Sequence, residues 1–357
     1  MRKLKICATT WHVMHFHDLF GALSDIADFY LINNIWRSWR RKEYLAARPI
    51  PSNVKFVPYY EPGVYDFAIL DIDQQCVNTK LGKSVVYQEF HEQIKDIPQV
   101  VINHGAPVYP EFLMTTGMTK QEAEIECKKI IKSMIFDGII TKEKKATVDD
   151  IHFGDTHMIT NSYQAATDKE WGFGYPIWHG LDAKEWFDLP KEPRVFTALS
   201  PAGCEEYYNR DCLNEVIRKL MQNYGYELYW AKMNIKTDTS FDDYKTFLGK
   251  SLIYIDVSFR TPMNRARTEA MLSGCCVVQV KGAHDLERFA KDRENIILVD
   301  NKPEQIADVL AHLIENQYDE AIKIGQAGKE TAKKLFNRER YKQDWIKFIN
   351  DKLNIKI

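Results

Sequence analysis

The sequence lacks the long apolar runs of a membrane-spanning protein. Nowhere in its 357 residues does an uninterrupted apolar stretch reach the ~18 residues that a spanning helix requires. The segment Met1–Ala8 has a positively charged flank, but its apolar run breaks at once into Thr-Thr-Trp-His. A signal peptide is therefore not expected.

Cysteine pairs are also missing. The chain has seven cysteines, an odd number, and no C-x-x-C spacing. This excludes a disulfide framework and a zinc ribbon of the usual spacing. A chain without a disulfide framework is typical of a reducing compartment, so a cytoplasmic location is expected.

Neither sign of charge is in excess. The chain carries 48 Lys and Arg against 50 Asp and Glu, a formal charge of −2. A balanced surface has no global basic field to attract nucleic acid, and no nucleic-acid partner is expected. Because 45% of the residues are apolar, the chain can bury a core, and its length favours two domains.

Short apolar runs alternate with amphipathic stretches, which predicts an α/β protein with mainly parallel sheets. Helices are predicted at Thr119–Lys132 and Ser162–Trp171, and a stripe of i, i+3, i+4 spacing predicts another helix after Pro303. The predicted strands are Leu4–Ala8, Phe29–Asn33, Val54–Pro58, Phe67–Asp71, Gln99–Asn103, Gly138–Thr141, His157–Thr160, Arg194–Leu199, Glu227–Ala231, Leu252–Asp256, Cys275–Val280 and Ile296–Val299.

Two prolines in the segment Asp182–Pro193 mark a domain boundary. We expect a first domain over 1–182, a second over 183–337, and a C-terminal helix within 338–357 that returns to the first. Trp345 and Phe348 would anchor this return on one helical face. A ligand is expected in a cleft at the carboxyl ends of the strands.

Two motifs resemble those of GT-B glycosyltransferases, especially family 4 and its relatives. Ile177–Phe187 is similar to the family's N-G-[IV]-D-x-x-x-F passage, with His179 where the family usually has Asn. Thr268–Val278 is similar to the E-A-M-x-x-G-x-P-V-V signature. The resemblance implies a GT-B fold, with two Rossmann-like domains.

The second motif also predicts a donor site on physical grounds. A helix beginning near Asn264 would direct its free N–H groups and positive dipole end at a diphosphate. In the family, the glutamate at the position of Glu269 binds the ribose hydroxyls, and Gly274 would allow the tight turn into the next strand. The alternative is that Glu269 and Gly274 only support the helix ends.

The resemblance implies further donor contacts. The family often has a sugar-binding glutamate where this chain has Thr261, so the sugar contacts would either be altered or be made by backbone groups of Met263–Arg265. Arg210 stands near the position of a family lysine that neutralises the leaving diphosphate, with Arg265 and Arg267 as rival cations. Two further residues would form the phosphate-side loop, Ser200 and Gly203.

In the first half, Asn103-His104-Gly105 resembles a strand end whose histidine faces the donor sugar. His104 is therefore a second candidate catalytic residue beside Arg210, and the alternative is a core histidine. The first βα segment would contact the acceptor, with His12, His15, His17 and Asp18 as candidates.

Two short motifs leave a metal as an alternative. These are the His-x-x-His-x-His run and the triplet Asp71-Ile72-Asp73. No distant cysteine or carboxylate cluster completes the histidine run, and three-residue motifs such as Asp-x-Asp occur often by chance. The family resemblance implies metal-independent transfer. No metal and no other cofactor are expected.

The segment Trp36–Lys42 places two tryptophans among four cations. It predicts either a solvated segment anchored by its tryptophans or a peripheral contact with anionic lipid. Stacking on a sugar acceptor and contact with nucleic acid are further alternatives.

The combined reading is a hexosyltransferase-like enzyme of polysaccharide biosynthesis. It would move a sugar from a UDP- or GDP-sugar to a hydroxyl of a glycan or lipid-linked acceptor, with retention of anomeric configuration. A non-catalytic sugar-nucleotide-binding paralogue and a sugar-nucleotide epimerase of the same architecture are the alternatives.

Overall fold

The computed structural model describes residues 2–10, 12–32, 48–77, 82–105, 111–136, 156–167, 170–199, 208–230, 240–259 and 263–357. These residues form two compact units. The first contains the described residues up to Trp178 except Arg48, together with Tyr341–Ile357. The second contains Arg48 and His179–Arg340. The segment Trp36–Lys42 and the predicted strand Gly138–Thr141 lie outside the described residues.

A seven-stranded parallel sheet forms the first unit, in the order β3-β2-β1-β4-β5-β6-β7. Its strands are β1 (Leu4–Ala8), β2 (Ala27–Ile32), β3 (Val54–Val57), β4 (Phe67–Ile72), β5 (Gln99–Asn103), β6 (Thr156–Thr160) and β7 (Tyr175–Pro176). Its helices are α1 (Val13–Ala22), α2 (Gly82–Gln93), α3 (Glu111–Met114) and α4 (Lys120–Phe136).

The second unit has a five-stranded parallel sheet in the order β12-β11-β10-β8-β9. Its strands are β8 (Glu192–Thr197), β9 (Leu228–Trp230), β10 (Ser251–Asp256), β11 (Cys276–Val280) and β12 (Ile297–Val299). Its helices are α5 (Arg210–Tyr224), α6 (Phe241–Lys250), α7 (Arg265–Leu272), α8 (Pro303–Glu315) and α9 (Tyr318–Leu335). Both sheets are wholly parallel, which confirms the predicted fold class.

The last helix, α10 (Arg338–Lys352), contributes to the core of the first unit. Trp345 and Phe348 are both buried there, with ring centroids 5.8 Å apart. They pack with Phe16 and Phe20 of α1 in one apolar cluster. At about 25 cal/mol per Å2 of apolar surface, these large rings stabilise the attachment of α10 substantially.

The predicted helix Ser162–Trp171 is wrong. Within the described part of this range, residues 162–167 and 170–171, the chain makes a short 3-10 turn at Gln164–Ala166 and no α-helix. The Ser162 hydroxyl accepts a hydrogen bond from the Ala165 N–H at 3.1 Å, and the Trp171 N–H returns to the Ala165 carbonyl at 3.0 Å. Local side-chain bonds of this kind compete with helix propagation, which the apolar spacing alone does not reveal.

Within the described residues, no helix is both long and apolar enough to cross a bilayer.

A close helix contact in the second unit yields a stability prediction. A Cβ atom at Gly325 of α9 would overlap the carbonyl oxygen of Gly274 and lie 3.0 Å from the Cys276 nitrogen. Backbone cannot yield as a flexible side chain does, so we expect Gly325→Ala to lower the free energy of unfolding by about 1–3 kcal/mol. Urea denaturation would measure the loss. Lys323→Ala, on the exposed side of the same helix, should be nearly neutral, and equal stabilities of the two variants would contradict the prediction.

Candidate functional site

Polar side chains collect at the carboxyl edge of the first sheet. His12 follows β1 and precedes α1, Asp71 and Asp73 lie at the end of β4, and His104 directly follows β5. Because the strands are parallel, their carboxyl ends meet at one edge. Asp71 therefore becomes a neighbour of His12, which is 59 positions away along the chain, and of His104, which is 33 positions away.

Asp71 is the centre of this group and is 2% exposed. One of its oxygens accepts the His12 backbone N–H at 3.1 Å, and the His12 ring Nδ1 lies 3.1 Å from both oxygens. His104 Nε2 lies 3.0 Å from Asp71 Oδ1. Burial by itself would raise the pKa of the Asp71 carboxyl, but the two imidazoles hold that pKa well below its usual range.

His104 has neighbours at both ring nitrogens. Nε2 faces Asp71, and Nδ1 lies 3.0 Å from the side-chain amide of Asn161, which follows β6. The two rings of His12 and His104 stack with their centroids 4.1 Å apart. Burial lowers the pKa of His104, although the Asp71 carboxylate opposes that shift. A direct hydrogen bond from His104 to a sugar hydroxyl would have to replace one of these neighbours.

The other three acceptor-side candidates lie on α1 and are at most 8% exposed. His15 Nε2 lies 3.2 Å from the Tyr341 hydroxyl, and the His15 ring contacts His104 edge-on. His17 Nδ1 lies 3.0 Å from the carbonyl oxygen of Pro49. Asp18 is 1% exposed. The sequence predicts a loop or a helix start here, and the structure has a helix from Val13 onward, on which His15 and His17 have contacts inside the first unit.

In the second unit, helix α7 begins where the sequence predicts, with Asn264 as its N-cap. The Asn264 side-chain oxygen accepts the Ala266 N–H at 3.0 Å, and its amide nitrogen donates to Asp256 at 2.6 Å. Asp256 also accepts from the Ser258 N–H and hydroxyl at the end of β10. Burial raises the pKa of Asp256, although Arg267 and these donors oppose the shift. The helix N-terminus is therefore fixed to the end of the strand.

Glu269 is 1% exposed and its carboxylate has donors on both oxygens. Oε1 pairs with Arg265, one turn earlier, and with Arg48 Nη2 at 3.0 Å. Oε2 accepts from the Tyr244 hydroxyl at 2.5 Å. The Arg48 guanidinium lies over the Phe241 ring, 3.9 Å from its centroid. Sequence reasoning missed Arg48 and Tyr244, because nothing in the chain order places them beside Glu269.

The two candidate phosphate-binding cations of α7, Arg265 and Arg267, differ in their exposure to solvent. Arg267 is fully buried, donates to Gln279 Oε1 at 3.1 Å, and lies 2.8 Å from the sulfur of Met263. Arg265 keeps 13% of its side chain exposed and pairs with Glu269. Arg267 therefore supports the interior of the unit, and Arg265 is the cation of this pair with access to solvent.

Arg210 is the first residue of α5. It follows Asn209, whose left-handed backbone (φ 54°) and amide bond to the Val257 carbonyl at 2.9 Å fix the turn into the helix. Three other donor-side candidates, Thr261, Ser200 and Gly203, lie outside the described residues.

His179 occupies the motif position that is usually Asn. Its Nε2 lies 2.9 Å from the Thr268 hydroxyl of α7, and its carbonyl accepts from Arg340 Nη2 at 2.7 Å. Burial, together with the charges of Arg265, Arg340 and Arg267, lowers the pKa of His179 well below its usual range. His179 therefore connects α7 to the preceding segment as a neutral side chain.

This neutral state predicts a pH effect on stability. Below about pH 6.5 the unfolded chain binds a proton at His179 that the folded chain does not bind, so stability falls as the pH falls. His179→Asn removes this contribution, which reaches at most about 1.4 kcal/mol per pH unit. Urea unfolding at about pH 7.5 and about pH 5.5 should show a smaller loss in the variant than in the wild type. Equal losses would contradict the prediction.

Comparisons with known proteins give matches in structure alone. No protein-family model matches the sequence, and neither does any curated protein sequence. Among solved structures, Anabaena HepE in complex with UDP and glucose is 14% identical, with a TM-score of 0.60 over 96% of this chain and 98% of that one. Sucrose-phosphate synthase from Thermosynechococcus elongatus is 11% identical, with a TM-score of 0.62 over 96% and 97%.

A glycosyltransferase from Rickettsia africae is 10% identical and has a TM-score of 0.58, with 99% of both chains covered. Each match extends over nearly the whole length of both chains, so it includes both parallel sheets and the C-terminal helix. At such low identity the likeness concerns the fold, and it confirms the fold that the two sequence motifs imply. The chain has the GT-B fold.

Proposed function

We propose that this protein is a glycosyltransferase that moves a sugar from a UDP- or GDP-sugar to a hydroxyl of a glycan or lipid-linked acceptor. The observation that carries the proposal is the start of α7. There an Asn264-capped helix N-terminus stands at the carboxyl end of β10, Arg265 begins the helix, and Glu269 follows one turn later. The fold supports it, since solved structures with this fold include a complex with UDP and glucose.

The donor nucleotide would bind on the second unit. The free N–H groups at the start of α7 suit the diphosphate, and the Glu269 carboxylate suits two ribose hydroxyls, which would donate to it. Those hydroxyls would take the places of Tyr244 and Arg48 on the carboxylate. Displaced from the carboxylate, Arg48 would become an additional cation for the phosphates.

The leaving diphosphate would be neutralised by arginine instead of by a bridging metal. Arg210 and Arg265 are the cations for this role, and fixed charges in a water-poor site stabilise the developing charge of the leaving group. Transfer with retention of anomeric configuration follows the family resemblance. On the first unit, His104 would act at the sugar from the carboxyl end of β5, after one of its two ring-nitrogen neighbours, Asp71 or Asn161, is replaced by a sugar hydroxyl.

A donor panel tests the proposal. The full chain is incubated with UDP- and GDP-sugars, binding is measured by thermal shift, and free nucleoside diphosphate is measured with and without glycan acceptors. We expect one donor to raise the melting temperature of the protein. With acceptor present, nucleotide should be released from that donor faster than in a control with heat-treated protein. Proton NMR of the product then reads the anomeric configuration.

The two alternatives give different results in the same assay. A non-catalytic sugar-nucleotide-binding protein would show the thermal shift without nucleotide release. An epimerase would convert the donor to an isomeric sugar nucleotide without any acceptor, which chromatography with mass analysis detects. Absence of a shift with every donor would overturn the donor site itself.

A further inference from the structure

We propose that His12, Asp71 and His104 form a binding site for one divalent transition-metal cation, with Zn²⁺ and Co²⁺ as the best-suited ions. Two imidazole nitrogens and one carboxylate oxygen from these residues lie within 4.8 Å of one another. A site of two histidines and one carboxylate suits borderline-soft cations such as Zn²⁺ better than it suits Mg²⁺ or Ca²⁺, which prefer oxygen ligands. The inference concerns the first unit and does not depend on the proposed transfer reaction.

The ring nitrogens that face away from Asp71 support this assignment. His12 Nε2 lies 3.5 Å from Asp73 Oδ2, and His104 Nδ1 lies 3.0 Å from the Asn161 amide. Metal-bound histidines commonly donate their outer N–H to a carboxylate or carbonyl, which fixes the tautomer and leaves the inner nitrogen as a ligand. Here Asp73 and Asn161 stand at those outer positions.

The Asn161 amide fits a cation better in one of its two orientations. Among the described residues, Asn161 Oδ1 is a buried atom without a hydrogen-bond partner. Exchange of its oxygen and nitrogen, which a side-chain amide permits, turns Oδ1 toward His104 Nδ1 as an acceptor. His104 then carries its proton on Nδ1, and Nε2 presents its lone pair to Asp71.

The inner nitrogens of the two rings and the Asp71 carboxylate lie within 4.8 Å of one another. His104 Nε2 is 3.0 Å from Asp71 Oδ1 but, within the described part of the chain, has no partner of hydrogen-bond geometry. A cation bound by all three side chains would take the lone pairs of both inner nitrogens and of the carboxylate.

The backbone holds these ligands rigidly. Asp71 lies within β4, and the backbone N–H of His104 donates to the Ile72 carbonyl at 3.0 Å. The His12 backbone N–H donates to Asp71. The His12 side chain is 33% exposed, against 1% for Asp71 and 7% for His104. The cation would therefore have one side toward solvent, where a water or an oxygen of a bound molecule completes its coordination.

Metal titration of the tag-free full chain tests the site. After removal of metal with a chelator and dialysis, Zn²⁺ is titrated by calorimetry and Co²⁺ by its visible absorption. We expect one cation per chain, a Co²⁺ spectrum of low coordination number, and a higher melting temperature with Zn²⁺. X-ray absorption at the Zn edge should show two imidazole ligands, a reading that needs no variant.

Four variants should differ in their affinity for the cation. Asp71→Asn and His104→Gln should abolish stoichiometric binding. Asp73→Asn, which removes only the outer carboxylate at His12, should weaken binding by about 10- to 100-fold without abolishing it. His312→Gln, at an exposed histidine of α8, should bind like the wild type.

Two results would overturn the proposal. One is an absence of stoichiometric binding by the wild type, and the other is Asp71→Asn binding Zn²⁺ as tightly as the wild type. Far-UV circular dichroism of each variant separates lost ligands from lost folding. Should Asp71→Asn not fold, the imidazole count from X-ray absorption of the wild type decides. If the wild type binds no metal but still releases nucleotide from a sugar donor, the cation site is refuted and the proposed transferase function stands.

Discussion

Glu269→Gln should weaken nucleoside diphosphate binding by about 10- to 100-fold, the effect of losing a charged hydrogen-bond acceptor. The substitution keeps the shape of the side chain and removes the charge that two ribose hydroxyls would meet. Calorimetry with UDP and GDP measures the change. Unchanged affinity in a folded variant would remove Glu269 from the donor site.

Two control variants separate the nucleotide contact from general damage. Glu330→Gln changes an exposed glutamate of α9 and should leave affinity unaltered. Tyr244→Phe removes only the hydroxyl that donates to Glu269 Oε2, so the carboxylate keeps its charge and its arginine partners. Affinity should therefore stay within a few fold of the wild type. A loss with Tyr244→Phe as large as with Glu269→Gln would indicate that the effect arises from the buried network instead.

The same glutamate makes a second, structural contribution. From the sequence, Glu269→Ala is expected to fold normally, because the residue would line an open cleft. The structure corrects the premise, since Glu269 is 1% exposed and paired with Arg48 and Arg265. Removing one partner of a buried ion pair costs about 3–5 kcal/mol, because the other charge is left uncompensated. Both variants remove this charge, but Gln keeps an amide oxygen for the arginines and fills the site, so Glu269→Ala should unfold at lower urea concentration than Glu269→Gln.

Local signals in the sequence were sufficient for most strands and for the start of α7. The predicted strand Gln99–Asn103 is observed with the same bounds, and β8 is Glu192–Thr197 where Arg194–Leu199 was predicted. A buried parallel strand is a continuous apolar run, so its position can be predicted from residues that are adjacent in the sequence. The Asn264 cap is equally local, because capping depends on residues within one turn.

Contacts between distant segments could not be predicted in this way. Arg48 and Glu269 are 221 positions apart, and no periodicity relates them. In the sequence, the histidine run and the Asp71-Ile72-Asp73 triplet are two separate metal motifs. The structure instead joins one histidine of the run to Asp71 and to His104, because all three stand at the same edge of the sheet. Topology, which short motifs do not encode, decides which of these residues meet.

His104→Ala should lower the turnover number by about 10²- to 10³-fold, the range for losing one group that stabilises the transition state. The affinity for UDP or GDP should change little, because Glu269 and the start of α7 belong to the second unit and His104 to the first. Steady-state rates with the donor found in the panel, together with calorimetry, separate the two quantities. His157→Gln, on β6 of the same sheet, controls for loss of a histidine from this unit.

The split between turnover and affinity makes this prediction specific. A His104 variant that loses nucleotide affinity and turnover equally has been damaged globally, and circular dichroism should then show altered structure. A folded variant with wild-type turnover would exclude His104 from the reaction. The Asp73→Asn variant, which keeps His104 and Asp71, should lose less activity than His104→Ala. This ordering is expected because Asp73 faces the outer nitrogen of His12 at 3.5 Å, and its substitution leaves the His104 ring in place.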